Sequence, residues 1–180
     1  KILVFFGGVD KTCQTEKVIR AIAQIDSSNI IINIIVGSGN LSANKISNMC
    51  RELKNVVIHR QISNMAQFIA DSDFSINAGG ATTWERCFLG LPSATIIVSP
   101  NQSEAAIVLE ELGAIWNLGW HENVTVCMIA KKIQEACCDP DALLRMRDIA
   151  LQVMVKNDTK KVLGLCDTMF KFKNNYSLMK

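Results

Sequence analysis

DFSINAGGATTWERCFLGLP, residues Asp73–Pro92, changes its period partway through. A short apolar run, Phe74–Asn77, gives way at Ala78-Gly79-Gly80-Ala81 to a helical pattern. That pattern carries Trp84, Phe88 and Leu89 on one side until Gly90 and Pro92 stop it. The stretch predicts a strand, a glycine turn and a helix. Adjacent glycines let backbone approach a ligand with no side chain between, and the first amides of a helix lack internal partners. With the partial positive charge at the helix start, they make an anion site for which phosphate is the natural occupant. Plain turn geometry uses the same residues, and both readings stand at this point.

On the amino-terminal side, Ile2–Phe6 reads as a strand ending at Gly7-Gly8, followed by a helix from about Thr12 with Val18, Ile19, Ile22 and Ile25 at helical spacing. Ile30–Val36 is a second strand with a glycine loop at Gly37–Asn40, Ala43–Leu53 a helix, and Val56–His59 a third strand. Ser63 or Asn64 caps a helix containing Met65, Phe68 and Ile69. On the other side come a strand at Ser93–Val98, a helix at Ser103–Leu112 and a last strand at Ala114–Leu118. Helices are then expected at Val124–Ala136, Ala142–Val155 and Lys160–Lys173.

Strict alternation predicts an α/β fold, a Rossmann-like three-layer domain with a mostly parallel six-stranded sheet and additional C-terminal helices. We read residues 1–180 as one domain, with an α/β core over 1–119 and a helical extension over 120–180. In such sheets ligands sit beyond the carboxyl ends of the strands. Gly7–Lys11, Gly37–Asn40, Ala78–Thr83 and Ser99–Gln102 lie there, all glycine-rich or small and polar. A purely structural sheet does not require that bias at every end, which moves the reading toward a phosphate-bearing ligand.

Other classes are disfavoured. The dinucleotide fingerprint G-x-G-x-x-G and the P-loop lysine are both missing, and no cofactor is expected. A net charge of +2, with both signs interspersed, offers no stripe for a nucleic-acid backbone. No apolar run is long enough to span a bilayer. The seven cysteines include no C-x-x-C pair and are expected as reduced, mostly buried thiols. His59 and His121 stand alone, so no metal site is expected. We expect a cytoplasmic protein, and the start on a strand without an initiator Met points to a piece of a longer one.

F-F-G-G-V-D at Phe5–Asp10, N-M-A-Q-F-I-A-D-S-D-F at Asn64–Phe74, A-G-G-A-T-T-W-E-R at Ala78–Arg86, G-L-P at Gly90–Pro92 and P-N-Q at Pro100–Gln102 occur in this order. In these motifs the chain resembles the carboxyl-terminal half of the PseG family, the UDP-sugar hydrolases of pseudaminic acid biosynthesis. That family falls within the MurG-like, GT-B-type class of nucleotide-sugar enzymes. The resemblance covers about Ile2–Gly119. It implies the second of two Rossmann-like domains, with a UDP-sugar held between them and the catalytic residues on an N-terminal domain that this chain does not include.

The resemblance also implies roles. Gly79, Gly80, Ala81, Thr82 and Thr83, with Gly7 and Gly8 from the first loop, would hold the diphosphate. Glu85 would accept from the ribose hydroxyls, although Thr82-x-x-Glu85 is equally a capping box. Backbone at Val57, Ile58 and His59, with Met65 and Asn64, would read uracil, Met65 also being an ordinary core filler. Asn101 and Gln102 would reach the sugar, or serve an ordinary turn. Asp10 would contact substrate or cap the first helix. The implied chemistry is inverting attack of water on the sugar C1 without a metal, the UDP leaving group being held by amides and the helix dipole. Two alternatives are the donor-binding half of a GT-B glycosyltransferase and a UDP-sugar-binding module without catalysis. The basic end, Lys160, Lys161, Lys171, Lys173 and Lys180, reads as a partner-docking or simply solvated face.

Overall fold

The computed structural model describes residues 1–156; the helix expected at Lys160–Lys173, the lysines of the basic end and Cys166 lie outside them. Strands β1 (Ile2–Phe5), β2 (Ile32–Val36), β3 (Val56–Arg60), β4 (Phe74–Ala78), β5 (Ser93–Ile97) and β6 (Trp116–Trp120) form one sheet. They alternate with α1 (Gln14–Ile22), α2 (Ala43–Cys50), α3 (Met65–Ala70), α4 (Thr82–Leu89) and α5 (Ser103–Glu111), and α6 (Val126–Cys138) and α7 (Pro140–Lys156) follow. The strand order is β3-β2-β1-β4-β5-β6, and every pairing is parallel. Order therefore reverses between β1 and β4, where a doubly wound sheet opens a crevice at its carboxyl end.

Successive strand residues face opposite layers. Ile2, Val4, Ile32, Ile34, Phe74, Ile76, Ala94 and Ile96 pack with Val18, Ile19 and Ile22 of α1, Ile46 of α2, and Ile129 and Ile133 of α6. The alternate positions serve the other face, where Leu3 and Ile35 meet Ile69, and Ile97 meets Cys87, Leu109 and Ala150. Thus α1, α2 and α6 cover one face and α3, α4, α5 and α7 the other. Helices α6 and α7 are layers of the domain, packed on α1 and α4 respectively.

The orientation of α4, open in the sequence, is fixed here, and the expectation for the thiols changes. Trp84 and Phe88 of α4 face outward, 40% and 66% exposed, Leu89 packs partly buried against the cluster around Ile69, and Thr83, Arg86 and Cys87 are buried. The reason lies beneath the helix. On that face β4 and β5 present a fully buried polar row, Ser75, Asn77, Ser93 and Thr95, linked by hydrogen bonds of 2.8–3.3 Å. Thr82 and Arg86 of α4 border the same small cleft as Ser75 and Asn77, a polar side of the helix against a polar patch of the sheet. The thiols are also more exposed than expected: of the described cysteines, all free, Cys50 and Cys87 are buried, and Cys13, Cys127, Cys137 and Cys138 are exposed. Among the described residues no helix is long and apolar enough to cross a membrane.

Candidate functional site

The loops after β1 and β4 flank the crevice, and their helix starts differ in one decisive respect. Helix α1 begins at Gln14, not Thr12, because Asp10 and Cys13 adopt left-handed φ values of 48° and 53°. That turn brings the Asp10 carboxylate onto the helix end, where it accepts from the amides of Gln14 at 3.0 Å and Thr15 at 2.8 Å. Burial pushes the Asp10 carboxyl upward in pKa, and these amide bonds oppose the shift. The α1 anion site is therefore filled by the chain's own carboxylate. Asp10→Ala is expected to cost about 1–2 kcal/mol of stability, the usual loss for an N-cap. A urea titration checks this, with Asp10→Asn recovering most of it.

Helix α4 has no such cap. Its N-cap is Ala81, without a side-chain cap bond, and the capping box of Thr82 and Glu85 does not form. Thr83 and Trp84 donate back to the Gly80 and Ala81 carbonyls, closing the turn. The amides of Gly80, Ala81 and Thr82 have no acceptor among the described residues. A side chain built on Gly80 would meet nothing within 4 Å, so the turn faces open space. Unpaired amides in a row at a helix start, with room in front, are a receptor for an anion.

Around this turn the structure distributes the predicted residues unevenly. Thr82 lines a small cleft with Leu3, Phe5, Met65, Ser75, Asn77 and Arg86, roomy enough for about one water. Thr83 is buried and turns its hydroxyl inward to Arg86. Glu85 is exposed and lies outside that cleft. It borders an open groove of about 390 Å³ with Ala66, Trp84, Phe88, Leu89 and Met154, its carboxylate making no hydrogen bond or ion pair among the described residues. Met65 and Ala66, adjacent at the start of α3, bring cleft and groove together.

The glycines divide by duty. Gly7 takes a left-handed φ of 84°, and Gly8 receives the Gly39 amide at 3.0 Å, packing the first loop on the second. Gly79 sits against Gln102, whose Cβ lies 3.2 Å from where a side chain would begin. Gln102 Oε1 accepts from the Val98 amide at 3.0 Å, while Asn101 is exposed. Val57, Ile58 and His59 lie inside β3 at the sheet edge. Ile58 packs toward the core, and His59 bonds Asn33 Oδ1 at 2.9 Å and meets Phe68 edge-on. The loop beyond the end of that strand is Gln61–Asn64, where Gln61 has a φ of 53° and Asn64 caps α3. Among the described residues no cluster of His, Cys, Asp or Glu is placed to hold a metal.

Sequence reading passed over Arg86 and the polar row beneath it. A signal was present: parallel central strands are ordinarily continuous in apolar residues, whereas β4 and β5 carry Ser or Asn and Ser or Thr at every second position. Arg86 donates to Thr82 Oγ1 at 3.0 Å, to Thr83 Oγ1 at 2.9 Å and to the Ala78 carbonyl at 3.5 Å. Burial lowers its pKa to about 10, still far above neutrality, so the guanidinium is charged at pH 7.

Known structures share this architecture. The crystal structure of MurG from Acinetobacter baumannii superposes with a TM-score of 0.70 at 19% identity, covering 84% of this chain and 45% of that one. The C-terminal CMP-Kdo binding domain of WaaA from the same organism superposes with a TM-score of 0.65 at 12% identity, covering 86% of this chain and 89% of that domain. An uncharacterized protein of Methanocaldococcus jannaschii is 29% identical over 106 residues, which is 57% of this chain and 22% of that protein. The chain thus spans less than half the length of MurG and about a fifth of the archaeal protein. The fold is that of a GT-B C-terminal domain, and residues 2–162 match a family by sequence. On that match the chain belongs to the glycosyltransferase family 28 C-terminal domain family.

Proposed function

We propose that this chain is the donor-binding half of a two-domain nucleotide-sugar enzyme and that its ligand is the UDP moiety of a UDP-sugar. One observation carries the reading: the open amides of Gly80, Ala81 and Thr82 stand beside the point where strand order reverses, whereas the neighbouring α1 end is already filled by Asp10. The diphosphate takes these amides and the Thr82 hydroxyl, with Gly7 and Gly8 forming the opposite lip. Glu85, exposed and unpartnered, accepts from the ribose diol. The base lies over the start of α3 near Met65. Backbone at Val57, Ile58 and His59 on the edge strand β3, with the loop Gln61–Asn64 that follows it, reads the base. Asn101 and the free amide nitrogen of Gln102 face the sugar.

The chemistry performed on that donor depends on a second domain. The motif order resembling UDP-sugar hydrolases favours water as the acceptor, and membership in a glycosyltransferase family favours an acceptor hydroxyl. The nucleotide is the testable part. UDP at about a hundred times its Kd is expected to raise the melting temperature by roughly 5–10 °C. CDP and GDP should do so less at the same concentration. CMP belongs in the series because WaaA carries a CMP-Kdo binding domain on this fold. Equal shifts for all nucleotides would remove the uridine assignment, and no shift for any would remove the anion site.

A further inference from the structure

Arg86 is only 2% exposed and its Nε has no partner. Its three acceptors are neutral oxygens, and no carboxylate among the described residues lies within ion-pair distance. Glu85, next in sequence, borders the outer groove, and its charge acts on the guanidinium only from beyond ion-pair distance. Buried charges are ordinarily paired, since leaving water uncompensated is costly. Here the acceptors, the Ala78 carbonyl and the Thr82 and Thr83 hydroxyls, bracket the turn that carries the open amides. Each threonine hydroxyl accepts from the guanidinium and so keeps its own proton to donate; half-buried Thr82 can give it to a ligand in front of the turn.

We infer that Arg86 is a positioning residue for a diphosphate: it fixes the Gly80–Thr82 turn through the Thr82 and Thr83 hydroxyls and holds beneath it a positive charge that the bound anion neutralises. This rests on reading the α4 start as the diphosphate site. It adds that affinity grows with ligand charge through one buried group, and that the unliganded protein carries that charge at a cost to its stability.

Calorimetric titration of the 180-residue chain with uridine, UMP and UDP tests this, alongside Arg86→Met, Arg86→Lys and ligand-free melting curves. Arg86→Met is expected to melt within about 3 °C of the parent, because an uncompensated charge leaves with the contacts it made. It should bind uridine within about twofold of the parent yet lose about tenfold or more in UDP affinity, with UMP between. Arg86→Lys, which keeps the charge but not the fork, should retain most of the preference for UDP over uridine. A chain that unfolds or binds uridine and UDP equally worse on Arg86→Met assigns Arg86 a purely structural role. Unchanged UDP affinity in that variant, or a folded Arg86→Lys without the preference, also overturns the inference while leaving the site reading intact. A parent chain that binds no UDP overturns both.

Discussion

Alanine in place of Glu85 is expected to leave the melting temperature within about 1 °C of the parent and to weaken UDP roughly thirtyfold or more. The first half follows from the unliganded structure. Glu85 is exposed, its carboxylate has no partner among the described residues, and the capping box that would have given it a structural duty is not formed. The second half follows from the chemistry of a vicinal diol, which offers two hydroxyl donors to one carboxylate. Hydrogen bonds to a charged acceptor contribute about 1.5–3 kcal/mol each, and losing 2–3 kcal/mol net corresponds to about 30–150-fold in Kd. The 2′-deoxy analogue of UDP supplies the control. The parent should bind it more weakly than UDP, and the Glu85→Ala chain should bind the two alike, closing a double-mutant cycle on the contact. A chain that melts lower while binding UDP as before would return Glu85 to a capping role and detach the ribose from this groove.

Gly37→Ala should produce the largest loss of stability, about 3 kcal/mol or more, seen as a fall of roughly 6–12 °C in a circular-dichroism melt. A methyl group there would lie 2.4 Å from both Cα and the carbonyl oxygen of Gly8 and 2.6 Å from its carbonyl carbon. Those atoms are backbone, tied by the Gly39 amide to the second loop and by β1 to the sheet, so they cannot swing aside as a side-chain tip would. Relief requires moving the Gly7-Gly8 loop, which flanks the proposed diphosphate site. The folded fraction should therefore also bind UDP more weakly. Gly80→Ala is the matched control: with nothing within 4 Å of the added carbon, it should melt like the parent. Equal melting of all three chains would mean that the first two loops are not packed on one another.

Much of this molecule was legible from residue patterns. Short β-rich runs ending in Gly7-Gly8, Gly37–Asn40 and Ala78–Ala81, each followed by a helical period, establish alternation, and alternation with short connections permits little except a parallel sheet covered on both faces. The ligand end follows from the same logic. Asn64 was readable as a helix start because a cap acts within three residues of itself. Periodicity left the orientation of α4 open. Trp84, Phe88 and Leu89 mark an apolar side, but which side of a helix turns inward depends on what the sheet presents to it. Here that is Ser75, Asn77, Ser93 and Thr95, brought side by side by β4–β5 pairing.

The sequence alone determined the order of elements, the parallel sheet and the edge at which the proposed ligand would dock, because these depend on interactions within a few residues and on the chirality of connections. Tertiary structure decided which glycine loop is open, since Asp10 closes one helix start by a left-handed turn while nothing closes the start of α4. It also decided that Arg86 is buried with no carboxylate in ion-pair contact among the described residues while Glu85 is exposed. The physical reason is that burial and charge pairing are properties of surfaces meeting across the sheet, and adjacency along the chain places Glu85 and Arg86 together without saying which one faces the core.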